Sequence, residues 1–427
     1  MQKRRVWIYV LMFLLSAINY IDRSALSVSA APLSREFDLD AVQLGYLFSS
    51  FLWLYVICLV PMGMIVDKLG SRRVNALGIA VWSAATLLTG VVGSFASLIG
   101  TRVLMGAGEA TTYPAAGRVI REWVPLRERA LFTTVFNSGA YFGPAIGGLV
   151  LTWLVGVAGW RMAFFACSAI GFCWLVAWLI WFRQPEQARW LGDEERALIL
   201  RERDVQGSAA DAALGIGALL QSRSLLAMML TQGCAVYTQY LFLTWLPNYL
   251  QAARGISMIK SGPLTALPYL GAVVLTILFG KLSDRLLTQE TVRSGGRRRM
   301  VALAMVVSSV ILLTPFVDNV YAILVLIMIA LSGVATTVGL NIALLSDLLR
   351  SPGDAGRATG LLILGGNIFG IMAPIVTGYV IQLTGSFDYA FVIAGALLVC
   401  GGLSALLLTH TPIAQPPGAA PHLAPAP

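Results

Sequence analysis

The chain has 427 residues, 57% hydrophobic and only 12% charged, with a formal net charge of +9. A soluble chain carries about 25% charged residues, so a water-soluble enzyme is excluded, as are disordered and fibrous chains. Continuous apolar runs without period-2 alternation exclude an outer-membrane barrel.

In chain order, apolar segments fall at 6–31, 41–66, 74–93, 98–120, 130–153, 160–182, 223–251, 260–283, 300–317, 320–345, 357–383 and 387–409. A helix crossing a bilayer needs roughly 20 apolar residues. The expected fold is therefore an all-α membrane protein of twelve transmembrane helices. The first segment starts on Lys3, Arg4 and Arg5 as a signal peptide does. Asp22 and Arg23 interrupt its far end and eleven spans follow, so it reads as an uncleaved helix. Four regions are expected: a six-helix bundle over 1–182, a partly helical cytoplasmic linker over 183–222, a second bundle over 223–409 and a disordered Pro/Ala-rich tail over 410–427.

The positive charge has a bland explanation, because membrane proteins keep Lys and Arg on cytoplasmic loops. With both termini inside, 24 of the 30 basic residues are cytoplasmic. Only Arg35, Arg161, Arg254 and Lys260 face outward, while Arg23 and Arg102 lie within spans. No nucleic-acid partner is expected. The five cysteines lie in apolar stretches with no metal-ligand or disulfide-like spacing, and the two histidines, His410 and His422, lie in the tail. Proton chemistry inside the membrane therefore falls to carboxylates, and no cofactor or metal is expected.

The two halves echo each other. Gly63-Met-Ile-Val-Asp67-Lys68 at the end of span two recurs as Gly280-Lys-Leu-Ser-Asp284-Arg285 at the end of span eight. Gly139-Ala140-Tyr-Phe142-Gly143 in span five matches Gly366-Asn367-Ile-Phe369-Gly370 in span eleven. Parallel six-helix repeats place a substrate site between halves near the membrane midplane.

Ionisable groups near a bilayer centre cost at least about 2.5–3.5 kcal/mol each on insertion scales. Four are nevertheless placed there: Asp22 and Arg23 in span one, Arg102 and Glu109 in span four. Arg102 and Glu109, seven residues apart, share a helix face about 10 Å apart along the axis. Opposite helix directions put Asp22 and Arg102 at similar depth, and all four charges can line one cavity. One reading is a purely structural ion network. The other is functional: Arg23 offers a planar fork for a carboxylate, and Asp22 and Glu109 carry protons. The second half contributes uncharged polar groups instead: Gln232, Tyr237, Gln239, Asn341 and Asn367. Charge in one half and hydrogen bonds in the other suit a small polyhydroxylated anion. Tyr20, Tyr55 and Trp245 are aromatic candidates around it, and equally packing or interfacial residues. Pro144, Pro247, Pro268 and Pro374 are expected to bend helices that rock.

The loop Gly63-x-x-x-Asp67-x-x-Gly70-x-Arg72-Arg73 reads as a gating motif. Its glycines allow close approach and a tight turn, while Asp67 can accept from a neighbouring helix N-terminus and the basic residues stay in water. This loop, the span-four signature Arg102-x-x-x-Gly106-x-x-Glu109-Ala110 and the repeat resemble the major facilitator superfamily. Asn19-Tyr20-Ile-Asp22-Arg23-Ser24, Phe136-Asn137-Ser138 and Leu243-Thr244-Trp245-Leu-Pro247-Asn-Tyr249 resemble its anion:cation symporter family, bacterial sugar-acid branch.

That resemblance implies proton-coupled uptake of a sugar acid (hexonate, hexuronate or aldarate) by alternating access in the bacterial inner membrane, by a monomer. It implies that Arg23 holds the substrate carboxylate, with Tyr20, Tyr55, Gln232 and Asn367 around the remainder. Asp22 and Glu109 would take protons and Arg102 would pair with Asp22. The branch's galactonate transporter has a glutamine where this chain has Ala140, which leaves the particular acid open. Uptake or export of another monocarboxylate or an aromatic acid, and a non-transporting sensor with the same pocket, are the alternatives.

Overall fold

The structure is a computed structural model that describes residues 4–204, 215–287, 289–350 and 354–413. The first half runs through α1 (Val6–Val28), the short α2 (Ala30–Phe37), α3 (Ala41–Leu69), α4 (Ser71–Thr89), α5 (Phe95–Glu109), α6 (Thr112–Trp123), α7 (Arg129–Ala158) and α8 (Trp160–Trp181). After α9 (Asp193–Asp204) and α10 (Ile216–Leu220), the second half comprises α11 (Arg223–Asn248), α12 (Met258–Leu286), the short α13 (Gln289–Arg293), α14 (Gly296–Ser308), α15 (Val320–Leu348), α16 (Ala355–Thr384) and α17 (Asp388–Leu408).

Among the described residues, nine helical stretches are long and apolar enough to cross a membrane. The other three expected spans are helices too polar or too short for that mark. Helix α4 starts on Arg72 and Arg73, and α11 carries Thr231, Gln232, Thr238, Gln239 and Thr244. The expected span 98–120 is broken into α5 and α6 at Ala110–Thr111. Pro114 explains the break: it has no N–H to offer the Ala110 carbonyl, and its ring crowds that carbonyl. Thr111 adds to it by hydrogen-bonding the Gly108 carbonyl at 3.0 Å. The expected span 300–317 likewise changes character, becoming a 3-10 helix over Ser309–Phe316.

The repeat is expressed as packing. In the first half, Gly139 and Gly143 of α7 press against α1, where an added methyl would meet Ser16 and the Ala17 carbonyl. In the second half, Gly366 and Gly370 of α16 press against Gln232, Val236 and Tyr240 of α11. Ala140 and Asn367 thus occupy matching places beside these two close approaches.

The halves meet at the end of the bundle opposite the chain termini. A methyl on Gly45 of α3 would overlap the Pro374 carbonyl of α16, and one on Gly378 would overlap the Ala41 carbonyl. Tyr46 and Tyr379 bring their hydroxyls to 3.3 Å, and Phe48 of α3 packs edge-on with Trp245 of α11, ring centroids 5.1 Å apart. On the other flank, Gly148 and Gly156 of α7 face Gly262 and Ile259 of α12. At the termini-bearing end, Gly63 of α3 and Gly280 of α12 have open space around them. Among the described residues, the close glycine contacts between the halves lie toward the end opposite the termini.

In the segment between halves, α9 is anchored to the first half, while Leu219 of α10 packs into the second. Arg5, buried at the start of α1, bridges Glu128 at 2.8 Å and Glu195 of α9 at 2.7 Å. The expected disordered tail needs correction at its start. Thr411 bonds Ser224, and Ile413 pairs with Leu348 and Arg350 in a parallel bridge, so 410–413 are held against the second half. The remainder of that tail, 414–427, lies outside the described residues.

Candidate functional site

Arg23 organises the site. Its Nε and Nη2 both donate to one oxygen of Glu109, at 2.9 and 2.8 Å, and its Nη1 donates to the Tyr240 hydroxyl of α11 at 2.9 Å. Three of the five guanidinium N–H groups are thereby used, leaving one on each terminal nitrogen. Arg23 lies 4.7 Å from the Phe51 ring, 4.8 Å from Tyr20 and 5.5 Å from Tyr55, within cation–π range. Both Arg23 and Glu109 are almost wholly buried. A buried pair of this kind has a large desolvation cost, offset only by close geometry and further hydrogen bonds.

The positions of these groups follow from local structure. Glu109 is the last residue of α5, directly before the break that Pro114 causes. Gly106 and Gly108 let α5 sit against α3 and α4, because a side chain at either would collide with Phe51 or with Gly78 and Trp82. Tyr20 and Arg23, three apart on α1, share a face.

The expected pairing of Arg102 with Asp22 is not made. Arg102 turns Nη1 onto the Met105 sulfur at 2.7 Å, and its Nε has no partner. Both Asp22 carboxylate oxygens are buried without a hydrogen bond, facing Arg102, the Cys167 thiol and the Trp82 indole. Sequence depth places the two side chains at one level, but rotation about each helix axis decides whether they touch. Glu109, offset by the helix break, takes the arginine of α1 instead. The four charges nonetheless form one contiguous buried group, with Phe51 within 5.8 Å of the Arg102 guanidinium as well.

In the second half, Gln232 accepts from Asn341 Nδ2 at 3.1 Å, and the same nitrogen donates to the Met228 carbonyl at 3.0 Å. Asn367 Nδ2 donates to the Ile363 carbonyl at 3.0 Å. Gly366, next to Asn367 on α16, packs against Gln232 of α11. Arg23, Tyr20, Tyr55 and Glu109 are therefore together, with Asp22 and Arg102 beside them and the amides across the interface. Two contributors, Tyr240 and Phe51, escape the sequence reading. Both are aromatics on apolar helix stretches, where nothing but the tertiary contact marks them. The helix break at Glu109, by contrast, is legible in Pro114.

The gating motif lies apart, at the termini-bearing end. Gly70 has φ +87°, a conformation that favours glycine. Asp67 accepts from the Arg121 side chain at 3.2 Å rather than from a helix N-terminus. Arg118 of α6 also reaches the Val66 and Asp67 carbonyls. The α6 arginines reach these acceptors first, which corrects the expected partner. Arg72 is half-buried and donates to the Leu179 carbonyl at 2.7 Å, so it does not stay wholly in water.

Comparison with known proteins shows the family. The probable galactarate/D-glucarate transporter of Bacillus subtilis (strain 168) is 34% identical, over 95% of this chain and 91% of its own. The D-galactonate transporter of Escherichia coli O6:H1 is 31% identical, over 95% and 96%. Among solved structures, a bacterial homologue of the human lysosomal transporter Spinster, in an inward-facing and occupied conformation, superposes with a TM-score of 0.71 at 18% identity, covering 96% of this chain and 98% of that one. The D-xylose–proton symporter superposes with a TM-score of 0.71 at 16% identity, covering 94% and 97%. The family description Major Facilitator Superfamily matches residues 12–295 and 264–426. The chain is thus a multi-pass membrane protein and not an enzyme, and it belongs to the Major Facilitator Superfamily.

Proposed function

We propose that the protein is a proton-coupled symporter that imports a sugar acid across the bacterial inner membrane by alternating access, as a monomer with both termini cytoplasmic. The observation that carries this reading is the Arg23–Glu109 pair beneath three aromatic rings, bonded across to Tyr240 of the other half. A substrate carboxylate competes with Glu109 for the same guanidinium fork. Once displaced, Glu109 is a buried unpaired carboxylate, and protonation relieves that cost. Its Oε1 already has no hydrogen-bond partner and is the atom free to take the proton. Binding of anion and proton are thereby linked through one arginine. Asp22, buried without a bond, is the second proton carrier.

The relatives named as galactarate/D-glucarate and D-galactonate transporters support the substrate class. The polar amides Gln232 and Asn367 supply hydroxyl- and carboxylate-reading groups opposite the charge. The end closed by Gly45, Gly378 and the Phe48–Trp245 contact is then the outer one. The motif around Gly63 and Asp67 acts as the cytoplasmic gate, which closes when the halves rock.

The test is uptake into proteoliposomes of hexonates, hexuronates and aldarates, with and without an inward proton gradient. Gradient-dependent accumulation of at least one is expected. No carboxylate accumulating in response to the gradient overturns the proposal.

A further inference from the structure

The amide chemistry of the second half carries more than a general polarity. The Met228 carbonyl can only accept, so the Asn341 atom bonded to it at 3.0 Å must be the nitrogen. That same nitrogen meets Gln232 at 3.1 Å, so the Gln232 atom there must be the oxygen. Gln232 consequently presents its amide nitrogen, with two N–H donors, away from Asn341. The Ile363 carbonyl fixes Asn367 by the same logic and leaves Asn367 Oδ1 as an open acceptor. Neither of these outer atoms is buried without a partner, and Gln232 and Asn367 keep 5% and 9% of their surface accessible.

We infer that Asn341 is a positioning residue that holds Gln232 as a donor, so that the second half reads the far carboxylate of a six-carbon hydroxy diacid while Asn367 accepts from its adjacent hydroxyl. The inference rests on the proposed carriage of a sugar acid and narrows it from sugar acids at large to diacids. Length agrees with a six-carbon chain. Gln232 and Tyr240, the residue that touches Arg23, are eight apart on α11, about 12 Å along its axis. An extended six-carbon chain measures about 6 Å between its end carbons. A hydrogen bond of about 3 Å at each end brings its reach to about 12 Å. Charge agrees as well. With Asp22 and Glu109 protonated, Arg23 and Arg102 leave two positive charges in the site, which balance a dianion.

The experiment compares D-glucarate with D-gluconate, which differ only at the far carbon, as competitors of uptake in proteoliposomes. The wild-type chain should favour the diacid by tenfold or more. Asn341→Asp cannot donate to Met228 or Gln232. It draws the Gln232 N–H groups to itself and turns the oxygen outward, so the preference should collapse toward one. Gln232→Glu, which replaces the donor with an acceptor of the same shape, should do the same. A structural role for Asn341 would lower uptake of both competitors in proportion and leave the ratio intact, which overturns the assignment. Equal wild-type competition by the two acids also overturns it, whether or not the variants fold. If neither acid nor any other carboxylate is accumulated with the gradient, it is the proposed function itself that fails.

Discussion

Arg23 places two of its nitrogens on a single oxygen of Glu109 and leaves the other carboxylate oxygen without a partner. The side-on pairing joins α1 to the broken end of α5 and leaves Nη1 free to reach Tyr240 across the interface. One arginine therefore touches both halves and a carboxylate at once. A substrate anion entering the site has to displace Glu109 from that fork while Tyr240 holds Nη1.

Removing the fork tests this directly. Arg23→Ala should abolish substrate binding. Arg23→Lys should lower affinity at least tenfold, since an ammonium lacks the planar fork that spans Glu109 and Tyr240. Glu109→Gln and Asp22→Asn should retain counterflow exchange and lose gradient-driven accumulation. Full concentrative uptake by both carboxamide variants would remove the proton-carrier assignment. Radiolabelled exchange and uptake in proteoliposomes measure both properties.

Tyr240→Phe keeps the ring and deletes one hydrogen bond to a charged group. Such a bond contributes about 1.5–3 kcal/mol, so substrate affinity should fall about tenfold or more. Binding calorimetry on the purified variant reads this out; unchanged affinity would show that the bond is no stronger with substrate bound, and raised affinity that Tyr240 leaves Arg23 during binding.

Gly106→Ala should destabilise the first half. The new methyl meets the backbone carbonyl of Phe51, which cannot rotate away as a side chain would. Overpacking of this kind costs about 1–3 kcal/mol. Gly117→Ala on α6, with nothing nearby, is the control and should be neutral or mildly stabilising through helix propensity. Thermal unfolding in detergent distinguishes the pair.

The closed end should open during the cycle. The Tyr46 and Tyr379 hydroxyls meet at 3.3 Å, with ring centroids 6.4 Å apart. The double variant Y46C/Y379C should be bridged by a short, reducible bifunctional thiol reagent and stop uptake, with activity restored by reductant. Undiminished uptake by the cross-linked protein would mean that α3 and α16 never separate here.

The Glu36 carboxylate gives a pH prediction outside the spans. Arg161 donates to both Glu36 oxygens and Trp160 to one of them, which holds the Glu36 carboxyl below the ordinary carboxylate range. A depressed pKa contributes stability above the unfolded value that is lost as pH falls through the folded one. Because the pair is exposed, the contribution is small, about 0–1 kcal/mol. Glu36→Gln should therefore melt slightly lower than wild type at pH 7, and the gap should close in acid.

Much of the site is legible in the amino-acid order alone. Asp22, Arg23, Arg102 and Glu109 stand out because ionisable groups in an apolar background are costly to bury. Gly366-Asn367-x-x-Gly370 matches Gly139-Ala140-x-x-Gly143 because both helices need close approach to a neighbour. Pro114 is in plain view as a breaker of span four, and it places Glu109 at a helix end rather than mid-span. Asp67 shows the opposite case. Its motif is local, but its partner Arg121 is more than fifty residues away on α6, and spacing alone does not choose among the donors a folded loop brings near.

The sequence by itself determined the membrane-spanning class, the two-half repeat, the charge asymmetry between halves and the residues able to hold an anion. These follow from composition and periodicity, which act along the chain. Tertiary structure alone decided that Arg23 takes Glu109 while Asp22 and Arg102 stay unpaired, that Tyr240 reaches across, and that Asn341 turns the Gln232 amide. Each of these depends on the rotation of one helix against another, a degree of freedom that depth along the axis does not constrain.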